Sequence, residues 1–148
     1  MAEEILVKEA LSTEMVSAGT KLANHLNRSH LVIDALLWLY VPELNLWRFV
    51  IASPEVRSKG PKKIYQQVRS IISKIPETQQ SVPFSDIFVV DSKDPLIMLL
   101  RTIIETGQEI SGLRFSKNVI NGVLIEDSYI YKLTPNAAET KQVLERIH

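Results

Sequence analysis

"GLRFSKNVINGVLIEDSYIYKL", residues 112–133, is the stretch from which the fold is read. Two runs of β-branched, aromatic and other apolar residues flank Asn121-Gly122. A two-residue hairpin turn needs positive φ at both central positions, which Asn tolerates and Gly adopts freely. The spacing therefore predicts an antiparallel hairpin over 113–133. Glu126 and Asp127 are neighbours on its second strand, so they face opposite sides of the sheet and do not form a carboxylate pair.

Working back along the chain, "LVIDALLWLYVPELNLWRFVIAS", residues 31–53, gives a second hairpin over 31–52 around Pro42-Glu43-Leu44-Asn45. Its first strand is apolar at odd and even positions alike, which places it inside the sheet with both faces covered. Trp38, Tyr40, Trp47 and Phe49 crowd this hairpin and read first as core, second as a stacking platform. Asp34, within the same strand, needs a partner such as Arg48 if it is buried.

Helices fill the intervals. Leu11, Met15, Ala18, Leu22 and Leu26 recur every three or four residues, an amphipathic helix starting near Ser12 or Thr13. Pro61 starts a second, with Ile64, Val68, Ile71, Ile72 and Ile75 on one stripe before Pro76 stops it. Residues 76–86 read as a loop and Ile87 to Val90 as a short buried strand. Asp94-Pro95 is an N-cap followed by proline at the first helical position, opening a helix over 95–106 that ends at Gly107. Thr134-Pro135 caps a final short helix carrying Ala138, Leu144 and Ile147. The expected class is α+β: a single mixed or largely antiparallel sheet of about five strands with helices packed on it.

Composition bounds the function. The 148 residues, 45% apolar and 23% charged, suit a single globular domain over 1–148. Seventeen Lys and Arg balance seventeen Asp and Glu, so no net field draws the chain to nucleic acid or a membrane. The absence of cysteine excludes thiol catalysis, disulfides and Cys-ligated zinc, and fits a reducing compartment. The acidic start, MAEEILVKEA, lacks the pattern of a secretory signal, and a cytoplasmic location is expected. His25 and His30 have no further ligands at metal-binding spacing, and no serine triad pattern is present.

Two constellations remain. The segment from Arg57 to Lys74 holds Arg57, Lys59, Lys62, Lys63, Arg69 and Lys74 with no acid among them. It reads as a solvated helix face or, where function uses it, as an anion-binding set of Arg57, Lys59, Lys62, Lys63 and Arg69. The other is "IFVVDSKDP", residues 87–95, in which Asp91 and Lys93 have carboxylate-x-lysine spacing. With Glu43 before the second strand, the element order over residues 12–116 resembles that of metal-dependent nucleases of the restriction-endonuclease type.

That resemblance implies a core of helix, three strands, helix and strand, with the helix at 61–75 as an insertion. It implies that Glu43 and Asp91 hold Mg²⁺, which activates water and neutralises phosphate, while Lys93 steadies the developing charge. The second and third strands would have to be antiparallel for those ends to meet. The plainer reading makes Asp91 and Lys93 solvated loop residues leading into a helix cap. On balance the sequence favours a small non-enzymatic interaction or ligand-binding domain with no cofactor. That domain is expected to self-associate as a homodimer and to take a protein or small-molecule partner. The nuclease, with Mg²⁺ and nucleic acid, is the alternative.

Overall fold

A computed structural model describes residues 7–76 and 80–134. The 31–52 hairpin forms strands β1 (Ala35–Val41) and β2 (Leu46–Ser53), antiparallel in register from Val41 opposite Leu46 to Ala35 opposite Ala52. The 113–133 hairpin forms β4 (Leu113–Ile120) and β5 (Val123–Leu133). Asn121 and Gly122 have φ of 48° and 81°, the values a type I′ turn demands. Strand β3 (Ile87–Asp91) completes one five-stranded sheet in the order β3-β2-β1-β5-β4. β1 lies in the middle, and its apolar residues at odd and even positions are buried on both faces.

One face carries Leu36, Trp38, Phe49, Ile51 and Tyr131. It packs on Leu22 and Leu26 of α1 (Thr13–Arg28) and on Ile64 and Val68 of α3 (Pro61–Ser73). Ser12 caps α1, its hydroxyl accepting the Met15 N–H at 3.1 Å. The other face carries Leu37, Val50, Ala52, Ile130 and Leu133 beneath Ile97 and Leu100 of α4 (Pro95–Arg101). The register of β1 on β5 slips between Leu36 and Leu37, leaving Tyr131 as an extra residue. This bulge turns two consecutive side chains towards α1: Tyr131 donates its hydroxyl to the Val16 carbonyl and Lys132 its ammonium to Asn27 Oδ1, each at 2.7 Å.

Three features depart from expectation. β2 and β3 pair in parallel, with Ser53 opposite Asp91. A parallel pair needs a long crossover, so α3 is the connection that makes the pairing possible rather than an insertion. It is preceded by α2 (Glu55–Lys59), a one-turn helix absent from the periodicity reading. The third departure is α4, which stops at Arg101 instead of Thr106. There the chain leaves the helix to satisfy β5: Thr106 N–H donates to the Leu133 carbonyl, Leu133 N–H to Thr106 Oγ1, and Ser111 N–H to the Tyr131 carbonyl. Sheet pairing outweighs the propensity of a few marginal helical residues. The helix expected from Thr134-Pro135 onward lies outside the described residues. No helix among the described residues is long and apolar enough to cross a membrane.

The start of α4 answers the "IFVVDSKDP" question locally. Asp94 Oδ1 accepts the Leu96 N–H at 3.0 Å with Pro95 in the first turn. A cap of this kind contributes about 1 kcal/mol.

Candidate functional site

The nuclease set does not come together. Glu43 sits in the β1–β2 turn, whereas Asp91 pairs beside Ser53 at the opposite end of β2. At about 3.3 Å per strand residue the separation is on the order of 25 Å. The expected antiparallel meeting fails because β2 and β3 run in the same direction. Asp91 is engaged elsewhere: Arg57 Nε and Nη2 donate to its two oxygens at 3.0 and 2.9 Å. That guanidinium holds its carboxyl below the usual range. The same carboxylate accepts the Lys93 N–H at 3.0 Å, closing a turn that leaves the Lys93 side chain in solvent. Among the described residues no three His, Asp or Glu side chains converge on a metal position.

The basic segment also divides. Arg57 is spent on Asp91. Lys59 donates to Glu55 Oε1 at 2.7 Å, one helical turn away, and Glu55 Oε2 accepts the Val32 N–H at 2.7 Å. Lys59 first, and then that backbone donor, lower the Glu55 pKa. The Arg69 guanidinium lies 4.5 Å from the Phe84 ring centroid, a cation–π contact. Lys62 and Lys63 are exposed on the first turn of α3. Of the five cations expected to bind an anion, three are thus already engaged, by Asp91, Glu55 and Phe84.

What the fold builds instead is a cleft of about 310 Å³ between the C-terminal end of α1, α2 and one face of α3. Gln67, Ser70, Ile71 and Lys74 contribute from α3 and its C-cap, spaced three, one and three residues apart so that they share a face. Ser29, His30 and Leu31 enter from the α1 C-terminus, where the Ser29 N–H and hydroxyl both donate to the Leu26 carbonyl. Glu55 and Lys59, bound to each other, form the third wall. Leu31 and Ile71 make an apolar floor beneath hydroxyl, amide, imidazole and ammonium groups. One carboxylate against two ammonium groups leaves the lining net positive, with Lys74 outside any ion pair among the described residues. A cleft of this size and mixed lining suits a small ligand. The 67/70/71/74 spacing is present in the sequence, but it is the polar edge of an apolar stripe, and only the arrival of α1 and α2 turns it into a wall.

A second group of polar residues gathers where β2, β3 and β5 end and β1 begins. Asp34, Ser92 and Thr134 are buried there with Arg101. Asp34 faces Arg101 Nη2 at 3.5 Å, and its expected partner Arg48 stacks on Phe88 instead, 4.3 Å from the ring centroid. Asp34 lies just before β1 rather than within it and is reached from the last residue of α4, which the local sequence around Asp34 does not reveal. His25, the other histidine weighed from sequence, holds the Lys21 carbonyl within its own helix. No family model, curated protein or solved structure matches this chain.

Proposed function

We propose that the protein is a non-enzymatic binding domain that takes a small carboxylate- or phosphate-bearing ligand in the α1–α3 cleft. The observation that carries this reading is the cleft lining, in which Lys74 and Lys59 stand over an apolar floor with Ser29, Ser70, His30 and Gln67 as hydrogen-bonding groups. Lys74 supplies charge, the hydroxyls and amide supply orientation, and Leu31 with Ile71 accepts the ligand's apolar body. A cytoplasmic setting accords with the cysteine-free sequence.

The test is a thermal-shift and NMR screen of anionic metabolites against the protein and Lys74→Glu. A ligand from the screen should lose about tenfold or more in affinity on charge reversal, since a hydrogen bond to a charged group contributes about 1.5–3 kcal/mol. Hits indifferent to Lys74→Glu, or none at millimolar concentration, overturn the assignment.

Self-association is the second part of the proposal. Val119, Val123 and Leu124 are 66%, 47% and 56% exposed around the β4–β5 turn, beside β4, which is an edge strand among the described residues. Apolar side chains next to an unpaired strand edge are covered economically by a second copy about a twofold axis. A monomer in light scattering at tens of micromolar protein removes this part and leaves the ligand reading standing.

A further inference from the structure

On the α1 side of the sheet, at the turn end of the β1–β2 hairpin, the segment from Val7 to Leu11 runs across the surface as a strap. Asn45, held at φ 47° in the turn, clamps it from both sides. Asn45 Nδ2 donates to the Val7 carbonyl at 3.0 Å and Oδ1 accepts the Glu9 N–H at 2.9 Å. Trp47 Nε1 donates to the Glu9 carbonyl at 2.8 Å. The clamp sets the side chain of Lys8 inward. Its ammonium lies 2.8 Å from Asp127 Oδ2, 4.8 Å from the centroid of the Tyr40 ring and 6.0 Å from that of Trp47. The Asp127 side chain is only 5% exposed, and both its oxygens also accept from Arg114. Burial pushes the Asp127 pKa up, yet Arg114 and Lys8 together bring it below the ordinary carboxylate value.

We propose that Tyr40, Trp47 and Asp127 form a recognition site for the primary ammonium of a lysine side chain. Lys8 is its resident occupant, and a lysine-bearing peptide segment is the ligand that displaces it. The receptacle does not depend on the strap. Tyr40 and Trp47 are direct cross-strand partners with ring centroids 5.4 Å apart, so β1–β2 pairing fixes the aromatic walls. Arg114 alone neutralises Asp127 through two hydrogen bonds. Lys8 is therefore not required for charge balance, and the Asn45 bonds that hold its strap lie at the surface.

The chemistry selects one ligand class. A cation within about 6 Å of a ring face is attracted by the ring quadrupole, and the effect strengthens as water is excluded. The carboxylate adds a requirement for an N–H donor. A primary ammonium meets both demands, whereas a trimethylammonium meets only the first. Lys8 is tethered beside the site at an effective concentration of about millimolar, which masks weak free ligands.

The experiment titrates Nα-acetyl-lysine N-methylamide into the ¹⁵N-labelled full chain and its Lys8→Ala variant, following the Trp47 indole N–H. Lys8→Ala should bind the probe about tenfold or more tightly than the parent, because the tethered competitor is gone. The trimethylated probe should bind Lys8→Ala about tenfold more weakly than the primary amine, for want of a charge-assisted hydrogen bond. Asp127→Asn added to Lys8→Ala should erase that difference. If Asp127→Asn does not fold, the two probes on Lys8→Ala decide alone. Equal affinity of parent and Lys8→Ala, equal affinity for the two probes, or no shift of the Trp47 signal overturns the proposal. Because the site is remote from the α1–α3 cleft, neither result bears on the anionic ligand.

Discussion

Gly19→Ala is expected to destabilise the protein by about 2 kcal/mol, although alanine in a helix interior is favoured over glycine by about 1 kcal/mol. Gly19 lies on the buried side of α1, facing Tyr131 and Trp38 of the sheet. A Cβ there would collide with the Tyr131 hydroxyl and stand 2.6 Å from Trp38 Nε1. Those two groups are the ones that stitch the helix down, Tyr131 donating to the Val16 carbonyl at 2.7 Å and Trp38 to the Met15 carbonyl at 3.2 Å. The close approach also strips water from the Tyr131 hydroxyl, and burial pushes its pKa up to about 12. Alanine would drive α1 outward, adding an overpacking cost of about 1–3 kcal/mol and weakening two hydrogen bonds of about 1 kcal/mol each. Urea denaturation reads the balance directly. A stability unchanged or raised by Gly19→Ala would mean that propensity governs and the close approach does not. In a Tyr131→Phe background, where the nearest colliding atom is absent, the same substitution should cost less.

Local patterns that need no partner were legible in the sequence. Asn121-Gly122 specifies its own turn, and Asp94-Pro95 its own helix start. The stripe on α1 and the doubly apolar β1 required only that a sheet and helices exist to meet them. Features set by distant contacts were not legible. The direction of β3 depends on how α3 crosses the sheet, and reading it as antiparallel is what brought Glu43 within reach of Asp91. The end of α4 depends on strand β5, whose Leu133 and Tyr131 carbonyls capture the backbone of Thr106 and Ser111. The basic run from Arg57 to Lys74 looked continuous because its neutralising acids, Glu55 and Asp91, stand outside it in sequence or in space. Glu126-Asp127 was set aside as a carboxylate pair, correctly on the geometry of one strand. Asp127 instead takes its partners from elsewhere in the fold: Arg114 on β4 and Lys8, 119 residues earlier, both donate to it.

Asp34→Asn should cost about 3–5 kcal/mol, the range for removing one partner of a buried ion pair. Its side chain and that of Arg101 are 9% and 8% exposed. The pair is poorly directed: Arg101 Nη2 stands 3.5 Å from Asp34 Oδ2, and among the described residues its Nε and Nη2 have no hydrogen bond while Nη1 donates to the Ser92 carbonyl at 3.2 Å. Arg101 is thus held in the interior by the charge of Asp34 more than by geometry. Asp34 also offsets the burial of Lys132, whose pKa falls through desolvation while the Asp34 charge opposes the fall. Asparagine keeps the shape and deletes the charge, leaving the buried Arg101 without its carboxylate. The backbone of Asp34 is unaffected, since its N–H still meets the Ala52 carbonyl and its own carbonyl still accepts from Thr134. Combining Asp34→Leu with Arg101→Met should recover most of the loss, as apolar replacement of a buried pair is often neutral or stabilising by about 1–4 kcal/mol. A double-mutant cycle by urea denaturation measures the coupling. A cost of less than about 1 kcal/mol for Asp34→Asn, the value of an exposed pair, would show that water reaches Arg101 and that the charge is not confined.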